Sequence, residues 1–197
     1  MRVHTRHTPG FGVARVLLGP GEAVQSASET LLASSFGVVE ANQGRKSRSV
    51  FTAPAEGGWV DLAPPGPGDV YPLELNGSTG WSVHRDAVLA RPSTVRVDQS
   101  WAPLQQLFGA DSGFLDHYSG RGPLLLTAPG PVDSFDLGRG ELVTVRPDYL
   151  LAYPDNVQCR LRALDPSGPQ SLRTGEGLVL DFAGPGTVLV QSRSRRK

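Results

Sequence analysis

The chain has 197 residues, and its 19 Lys plus Arg residues balance 19 Asp plus Glu residues, so its formal net charge is zero. A zero balance argues against a nucleic-acid binder that works through a broad basic face. The 24 Gly and 17 Pro residues interrupt the chain too often for long helices, which excludes all-α and coiled-coil folds.

The chain begins with a polar segment, residues 1–10, that has no apolar stretch behind it. We predict a flexible arm here and no secretory signal. No stretch approaches the length of about 18 apolar residues that a transmembrane helix needs. The single cysteine, Cys159, excludes an internal disulfide and is typical of a reducing compartment, so the sequence predicts a cytoplasmic protein.

Short strands separated by glycine and proline turns are predicted along most of the chain. The apolar runs 123–126 and 187–190 predict strands that are buried on both faces. Alternation over 157–163 predicts a strand with one buried face, and 95–101 shows a looser version. One segment, residues 101–110, has helical spacing of its apolar residues, which are Trp101, Leu104, Leu107 and Phe108. The sequence therefore predicts an all-β sandwich or barrel.

A sixteen-residue pattern occurs three times without gaps, at 18–33, 75–90 and 137–152, with offsets of 57 and then 62 residues. These patterns predict three related β units, over residues 11–64, 68–130 and 131–194, arranged around a pseudo-threefold axis. Residues 40–50 are predicted to form an exposed loop in the first unit. Five columns are apolar in all three copies, which predicts burial of Leu32, Leu89 and Leu151 at equivalent positions.

One column of the pattern is acidic in every copy, at Glu29, Asp86 and Asp148. Three converging carboxylates could bind a cation, but we favour a role in which each carboxylate accepts backbone N–H bonds at a turn. Cys159 lies on the apolar side of its predicted strand and is interpreted as a buried, unreactive thiol.

Motifs for catalysis and cofactor binding are absent from the sequence. Seven Gly-x-Gly triplets occur, but none has the third glycine of a dinucleotide-binding loop, so we predict that they supply positive φ angles at turns. No Gly-x-Ser-x-Gly motif for a nucleophilic serine is present. The four histidines include no His-x-His pair, so no metal site is predicted; they are His4, His7, His84 and His117.

Three segments resemble a known family. Residues 175–194, GEGLVLDFAGPGTVLVQSRS, resemble the C-terminal signature of the altered-inheritance-of-mitochondria protein 24 family. Residues 68–75 look like the start of its middle repeat, and residues 107–114 look like its Leu-Phe-Gly hairpin. The resemblance covers residues 11–194. The sequence departs from the family pattern in two places. Residues 44–48 stand in the first repeat instead of a long glycine-rich hairpin, and residues 110–112 stand where the family favours Gly and Glu.

The resemblance implies three β-rich repeats in a single domain, similar to a double-stranded β-helix and to the tryptophan RNA-binding attenuation protein. It also implies a soluble bacterial protein whose fungal relatives organise the mitochondrial inner membrane and are not known enzymes. We therefore expect no enzymatic activity, and no catalytic, cofactor-binding or metal-binding residues. The expected function is non-catalytic assembly or scaffolding, and the alternative is a small-molecule or nucleic-acid binding module on the same fold.

We expect the chain to form a homo-oligomer, and the fold family favours a trimer. Other protein partners are possible, and no nucleic acid is expected. Aromatic side chains beside glycine-rich turns are the predicted interface anchors. The rival partner is a membrane surface, contacted through the basic residues of 193–197, of which 195–197 form the predicted tail. The predicted anchors are Trp59, Trp81, Trp101, Phe108, Phe114 and Tyr118.

Overall fold

The computed structural model describes residues 1–42, 48–98, 114–168 and 176–194. Within these residues the protein is all-β, with short 3-10 helices and no α-helix, which confirms the all-β part of the predicted fold class. None of them forms a helix long and apolar enough to cross a membrane. The helix predicted over residues 101–110 lies outside the described residues. The strands are β1 Arg2–Arg6, β2 Val13–Leu18, β3 Ala23–Ala27, β4 Leu31–Ser34, β5 Val39–Asn42, β6 Arg48–Thr52, β7 Gly58–Leu62, β8 Asp69–Asn76, β9 Trp81–His84, β10 Val88–Pro92, β11 Val95–Asp98, β12 Leu115–Ala128, β13 Val132–Leu137, β14 Leu142–Val145, β15 Leu150–Pro154, β16 Gln158–Ala163, β17 Leu178–Ala183 and β18 Gly186–Gln191.

The chain forms two compact units. The first comprises residues 1–78, 87–96 and 120–131 in the parts of the chain that the structure describes. It holds a four-stranded antiparallel sheet in the order β1-β2-β7-β4. Its second sheet has the order β8-β12-β10-β3-β6-β5, with β12 contributing its second half. The core of this unit is aliphatic with one phenylalanine, Phe51, and its fully buried members include Val16, Leu62 and Leu125.

The second unit contains the remaining described residues, chiefly 79–86, 114–119 and those from 132 onward. Its larger sheet has the order β13-β18-β15-β9-β12, and here β12 contributes its first half. Its smaller sheet has three strands in the order β14-β17-β16. Tyr153 and Phe182 meet in its core with ring centroids 5.1 Å apart. This core also buries Leu150, Leu180 and Val188.

The same succession of elements occurs at three places in the chain. A strand is followed by a 3-10 helix, at Ser28–Thr30, Arg85–Ala87 and Pro147–Tyr149. A second strand follows each helix directly, as β4, β10 and β15. Each of these second strands carries a register shift after its first residue. The spacing between equivalent elements is the spacing of the sixteen-residue pattern.

The predicted burial of the leucine column is correct at two positions and wrong at the third. Leu89 is 5% exposed and Leu151 is 0% exposed, but Leu32 is 59% exposed. The difference lies in the neighbouring strands. β10 and β15 each have a strand on both sides, whereas β4 pairs with β7 alone among the described strands. Leu32 therefore occupies the same position of the sequence pattern as two core residues, but in the described part of the chain β4 lacks the second neighbouring strand that β10 and β15 have.

The flexible arm predicted over residues 1–10 is also wrong, because β1 pairs antiparallel with β2 from Arg2 to Arg6. Val3 packs against the core of the first unit. The N-terminal ammonium lies 2.7 Å from Oε1 of Glu22, and Arg6 binds Asp61. These contacts hold β1 in the sheet. The sequence of β1 alone is too polar to predict a strand.

The apolar runs have the predicted structure. Leu124, Leu125 and Leu126 are fully buried in β12, and the run at 187–190 lies in β18. In β16, exposed and half-buried residues alternate as predicted. The loop predicted over residues 40–50 is wrong at its ends, which belong to β5 and β6, while 43–47 lie outside the described residues.

The Gly-x-Gly triplets supply positive φ angles in five of the seven cases, as predicted, through Gly21, Gly120, Gly122, Gly140, Gly177 and Gly186. Gly120, with a φ of +118°, is the clearest example, since a Cβ there would also overlap the Thr94 carbonyl oxygen. In the triplet that ends at Gly68, close packing requires the glycine instead, because a Cβ would strike the Ala128 carbonyl oxygen.

Candidate functional site

Exposed apolar side chains concentrate in residues 32–39 of the first unit. Leu32 lies on β4, Phe36 in the following turn, and Val39 at the start of β5. Phe36 is fully exposed and Val39 is 64% exposed. Placing three such side chains in water within eight residues is unfavourable, and surfaces of this kind are commonly binding sites.

The strand that carries this apolar segment has an open hydrogen-bonding edge. The N–H of Ser35 donates to the carbonyl of Trp59 on β7 over 2.9 Å. Because successive residues of an antiparallel strand direct their main-chain groups to opposite sides, the N–H of Ser34 points away from β7. No other described strand pairs with this side of β4.

The second unit also has an open strand edge, at β14. This strand pairs with β17 from Leu142 opposite Ala183 to Val145 opposite Leu180, and with no other strand in the described part of the chain. Leu142 is 74% exposed, whereas Val145 is buried in the core. Unpaired edges of this kind are templates for pairing with another strand.

A buried carboxylate links three strands of the four-stranded sheet. Asp61 on β7 accepts bonds from Arg6 on β1 and from Arg15 on β2, with shortest distances of 2.6 and 2.8 Å. The Arg15 guanidinium also lies 4.0 Å from the ring centroid of Trp59. The hydrogen bonds from Arg15 and Arg6 lower the pKa of Asp61 to about 2 although burial opposes this. Both carboxylate oxygens are bonded, so we interpret the cluster as structural.

Charged side chains of the second unit are likewise engaged with each other. Arg162 on β16 binds Asp181 on β17 over 2.6 Å, and Thr144 donates to the same carboxylate. These bonds, led by the one from Arg162, lower the pKa of Asp181 to about 2. His117 lies 3.0 Å from Asp155, whose carboxylate also accepts the N–H of Gly80. The arrangement fixes the end of β15 against the start of β9.

The other predicted polar residues do not form a site in the described part of the chain. Glu29, Asp86 and Asp148 occupy one 3-10 helix each. Within residues 1–42, 48–98, 114–168 and 176–194, no three His, Cys, Asp or Glu side chains are grouped to hold a metal ion. Burial raises the pKa of the half-buried Cys159 thiol to about 12, and the nearby Asp181 adds to this. The thiol is therefore protonated at neutral pH and a poor nucleophile.

Four of the six aromatic anchors predicted from sequence lie in the described residues, and none of these four is exposed. Tyr118 is buried, and Trp59, Trp81 and Phe114 are half-buried. Trp101 and Phe108, like the basic tail 195–197, lie outside the described residues. A sequence signal for the true exposed segment does exist, since residues 31–39 carry a run of apolar residues in which Ser34 and Ser35 are the only polar residues. Sequence alone does not show that β4 has one neighbour.

A shallow groove of about 350 Å³ lies on the first unit. The guanidinium of Arg91 at this groove already donates to the carbonyl of Val95. The groove has few groups that converge on a ligand. It is lined by Ala23, Val24, Gln25, Val50, Arg91 and Ser93.

Comparison with known proteins gives a consistent result. The family model described as mitochondrial biogenesis AIM24 matches residues 3–193. An uncharacterized protein of Streptococcus pyogenes serotype M6 is 28% identical over 137 residues, which is 68% of this chain and 54% of the relative. The chain therefore spans about half the length of that curated relative. A crystal structure of a Streptococcus pyogenes protein has the same fold, with a TM-score of 0.76, 21% identity, and coverage of 98% of this chain and 94% of that one.

Proposed function

The chain belongs to the mitochondrial biogenesis AIM24 family, and we propose that it is a non-catalytic assembly protein whose partner is a second copy of itself. The observation that carries this proposal is the pair of open strand edges, β4 and β14, each with exposed apolar side chains. Soluble proteins normally protect such edges, and symmetric self-association is a common way to cover them.

The proposal includes a finer description of the fold. We regard the three segments with the same element order as repeats in one domain, similar to a double-stranded β-helix and to the tryptophan RNA-binding attenuation protein. The three 3-10 helices and the register shifts beside them recur with the same offsets as the sixteen-residue pattern, which supports this. The trimer is favoured because of the resemblance to that fold family.

Binding and not catalysis is the proposed role because several carboxylates of the two units are engaged by arginine side chains. Asp61, Asp116 and Asp181 each have an arginine partner within 2.9 Å. We place the protein in the cytoplasm, since its lone cysteine fits a reducing compartment. The alternative of a small-molecule or nucleic-acid binding module has the groove beside Arg91 as its location. The bond from Arg91 to Val95 and the zero net charge make that alternative weaker.

Light scattering at low and high salt tests the proposed function. We expect a mass that is a multiple of the 21.0 kDa chain, most simply a trimer, in both conditions. An apolar interface persists at high ionic strength, whereas contacts between exposed charges are screened. A mass of one chain at micromolar concentration in both conditions contradicts the proposal. Binding to anionic vesicles that fades with salt supports the rival role of the 193–197 segment instead.

A further inference from the structure

Two strand pairings inside the chain, which we call joints, show how the equivalents of these edge strands are paired in the other segments. In the first unit, β10 pairs with β3, with Ala90 opposite Ser26. In the second unit, β15 pairs with β9, with Ala152 opposite Val83. In both joints, one strand directly follows a 3-10 helix. Its partner is the strand that precedes the previous one of the three 3-10 helices in the chain.

The two joints use equivalent residues. Ala90 and Ala152 occupy one column of the sixteen-residue pattern, and Ser26 and Val83 occupy another. The remaining members of these columns are Ala33 and Val145. Ala33 lies on β4 and Val145 lies on β14, which are the two strands with an open edge. The same antiparallel joint is therefore made twice. The two strands equivalent to a third joint are both present, but they do not pair with each other in the described part of the chain.

Burial differs between equivalent residues as a missing joint requires. Ala33 is exposed, whereas Ala90 and Ala152 are buried. On the other strand, Leu142 is exposed, whereas its equivalent Gly80 is buried and accepts the N–H of Asp155 over 3.0 Å. On β4, Ala33 thus matches the closed joints in sequence and differs from them in burial, whereas on β14 Val145 is buried like its equivalent Val83.

We propose that β14 of one copy pairs antiparallel with β4 of a second copy, with Ala33 opposite Val145. This register places Phe36 opposite Leu142 and so covers the two most exposed apolar side chains of the two edges with each other. It also gives the outward N–H of Ser34 a partner on Thr144. The strand order β1-β2-β7-β4 then continues into β14-β17-β16 of the next copy.

The proposed contact is head-to-tail, since each copy offers two different edges. Such a contact closes into a ring when the rotation between copies permits and otherwise extends as a filament. The proposal rests on the self-association proposed above and adds which strands form the interface and in which register. Its test must therefore separate the strand pairing from self-association in general.

Disulfide trapping provides that test. Residues directly opposite in a non-hydrogen-bonded antiparallel pair have Cα atoms about 4.5 Å apart, which is within disulfide reach. Ala33 and Val145 form such a pair, because Ser34 and Thr144 form the hydrogen-bonded one. We would mix an Ala33→Cys chain with a tagged Val145→Cys chain, oxidise, and read the products on a non-reducing gel. We expect a heterodimer with one tagged and one untagged chain.

Two controls define the register and the background. Ala33→Cys mixed with Thr144→Cys is shifted by one residue, so its thiols lie on opposite faces and at least tenfold less product is expected. The wild type reports any product from Cys159. Should Val145→Cys fail to fold by circular dichroism, Ser35→Cys with Val143→Cys tests the next non-hydrogen-bonded pair of the same register.

Each outcome has one meaning. A heterodimer at the predicted register supports the proposal. An oligomer by light scattering without this cross-link leaves self-association standing and overturns the strand pairing. A monomer by light scattering without the cross-link overturns both. A chain with Ala33→Cys and Val145→Cys together that cross-links only internally also overturns the proposal, because the two strands then pair within one molecule.

Discussion

Replacing Leu151 with alanine is expected to lower the free energy of unfolding by about 3 kcal/mol, because the substitution leaves a cavity in a closely packed core. Leu151 is fully buried in β15. The matched variant Leu32→Ala changes the equivalent residue of the first segment, which is mostly exposed. Its expected cost to the isolated chain is below about 0.5 kcal/mol.

Urea denaturation at low protein concentration, where self-association contributes least, measures both values. The two variants carry the same chemical change at the same column of the sequence pattern. The difference between their losses in free energy of unfolding therefore reports only the different surroundings of the two leucines. Equal losses of stability in the two variants would mean that Leu32 is covered in the single chain and that β4 has no open edge.

Asp61→Asn is expected to destabilise the folded chain by about 2 to 3 kcal/mol. The asparagine keeps the shape but removes the charge that pairs with Arg6 and Arg15. The estimate lies below the range for a fully buried ion pair because both arginines are more than one third exposed. Asp181→Asn is the control, since that pair with Arg162 is more exposed and is expected to cost about 1 kcal/mol or less.

The Asp61 contribution also has a defined pH dependence. The folded-state pKa of about 2 lies below the usual value of 3.8, so the stabilisation is fully present above about pH 4. It is lost as the pH falls from 4 towards 2, and the difference amounts to about 2 kcal/mol. The stability gap between wild type and Asp61→Asn should therefore narrow over that range. A gap that is unchanged between pH 5 and pH 2 would contradict the assignment of the stabilisation to the ionised carboxylate.

Local sequence predicted the strands well where burial on both faces leaves an uninterrupted apolar run, as in Leu124, Leu125 and Leu126. It failed for β1, whose stability comes from contacts with residues far along the chain, such as that of Arg6 with Asp61. The buried Asp61 shows the same limit. A carboxylate within the apolar strand β7 hints at a partner, but only the sheet order brings two arginines to it.

The open strand edges of the candidate site were beyond sequence analysis for a related reason. Repeat alignment assigns one environment to each column, so it predicted burial for Leu32 together with Leu89 and Leu151. Burial in a sheet depends on the neighbouring strand, and β4 and β14 each pair with a single strand among the described ones. The exposed Leu32 and Leu142 mark the two places where this occurs.

Hydrogen exchange at the Ser34 amide is the most direct test of the central claim, that copies of this chain associate through β4 and β14. The wild type and a Leu142→Lys variant would be compared, with the Arg91 amide of the closed β10–β3 joint as an internal reference. We predict that Ser34 is protected in the wild type and exchanges rapidly in the variant, while Arg91 stays protected in both. Rapid exchange at Ser34 in the wild type, at a concentration where its mass is that of an oligomer, would contradict the claim.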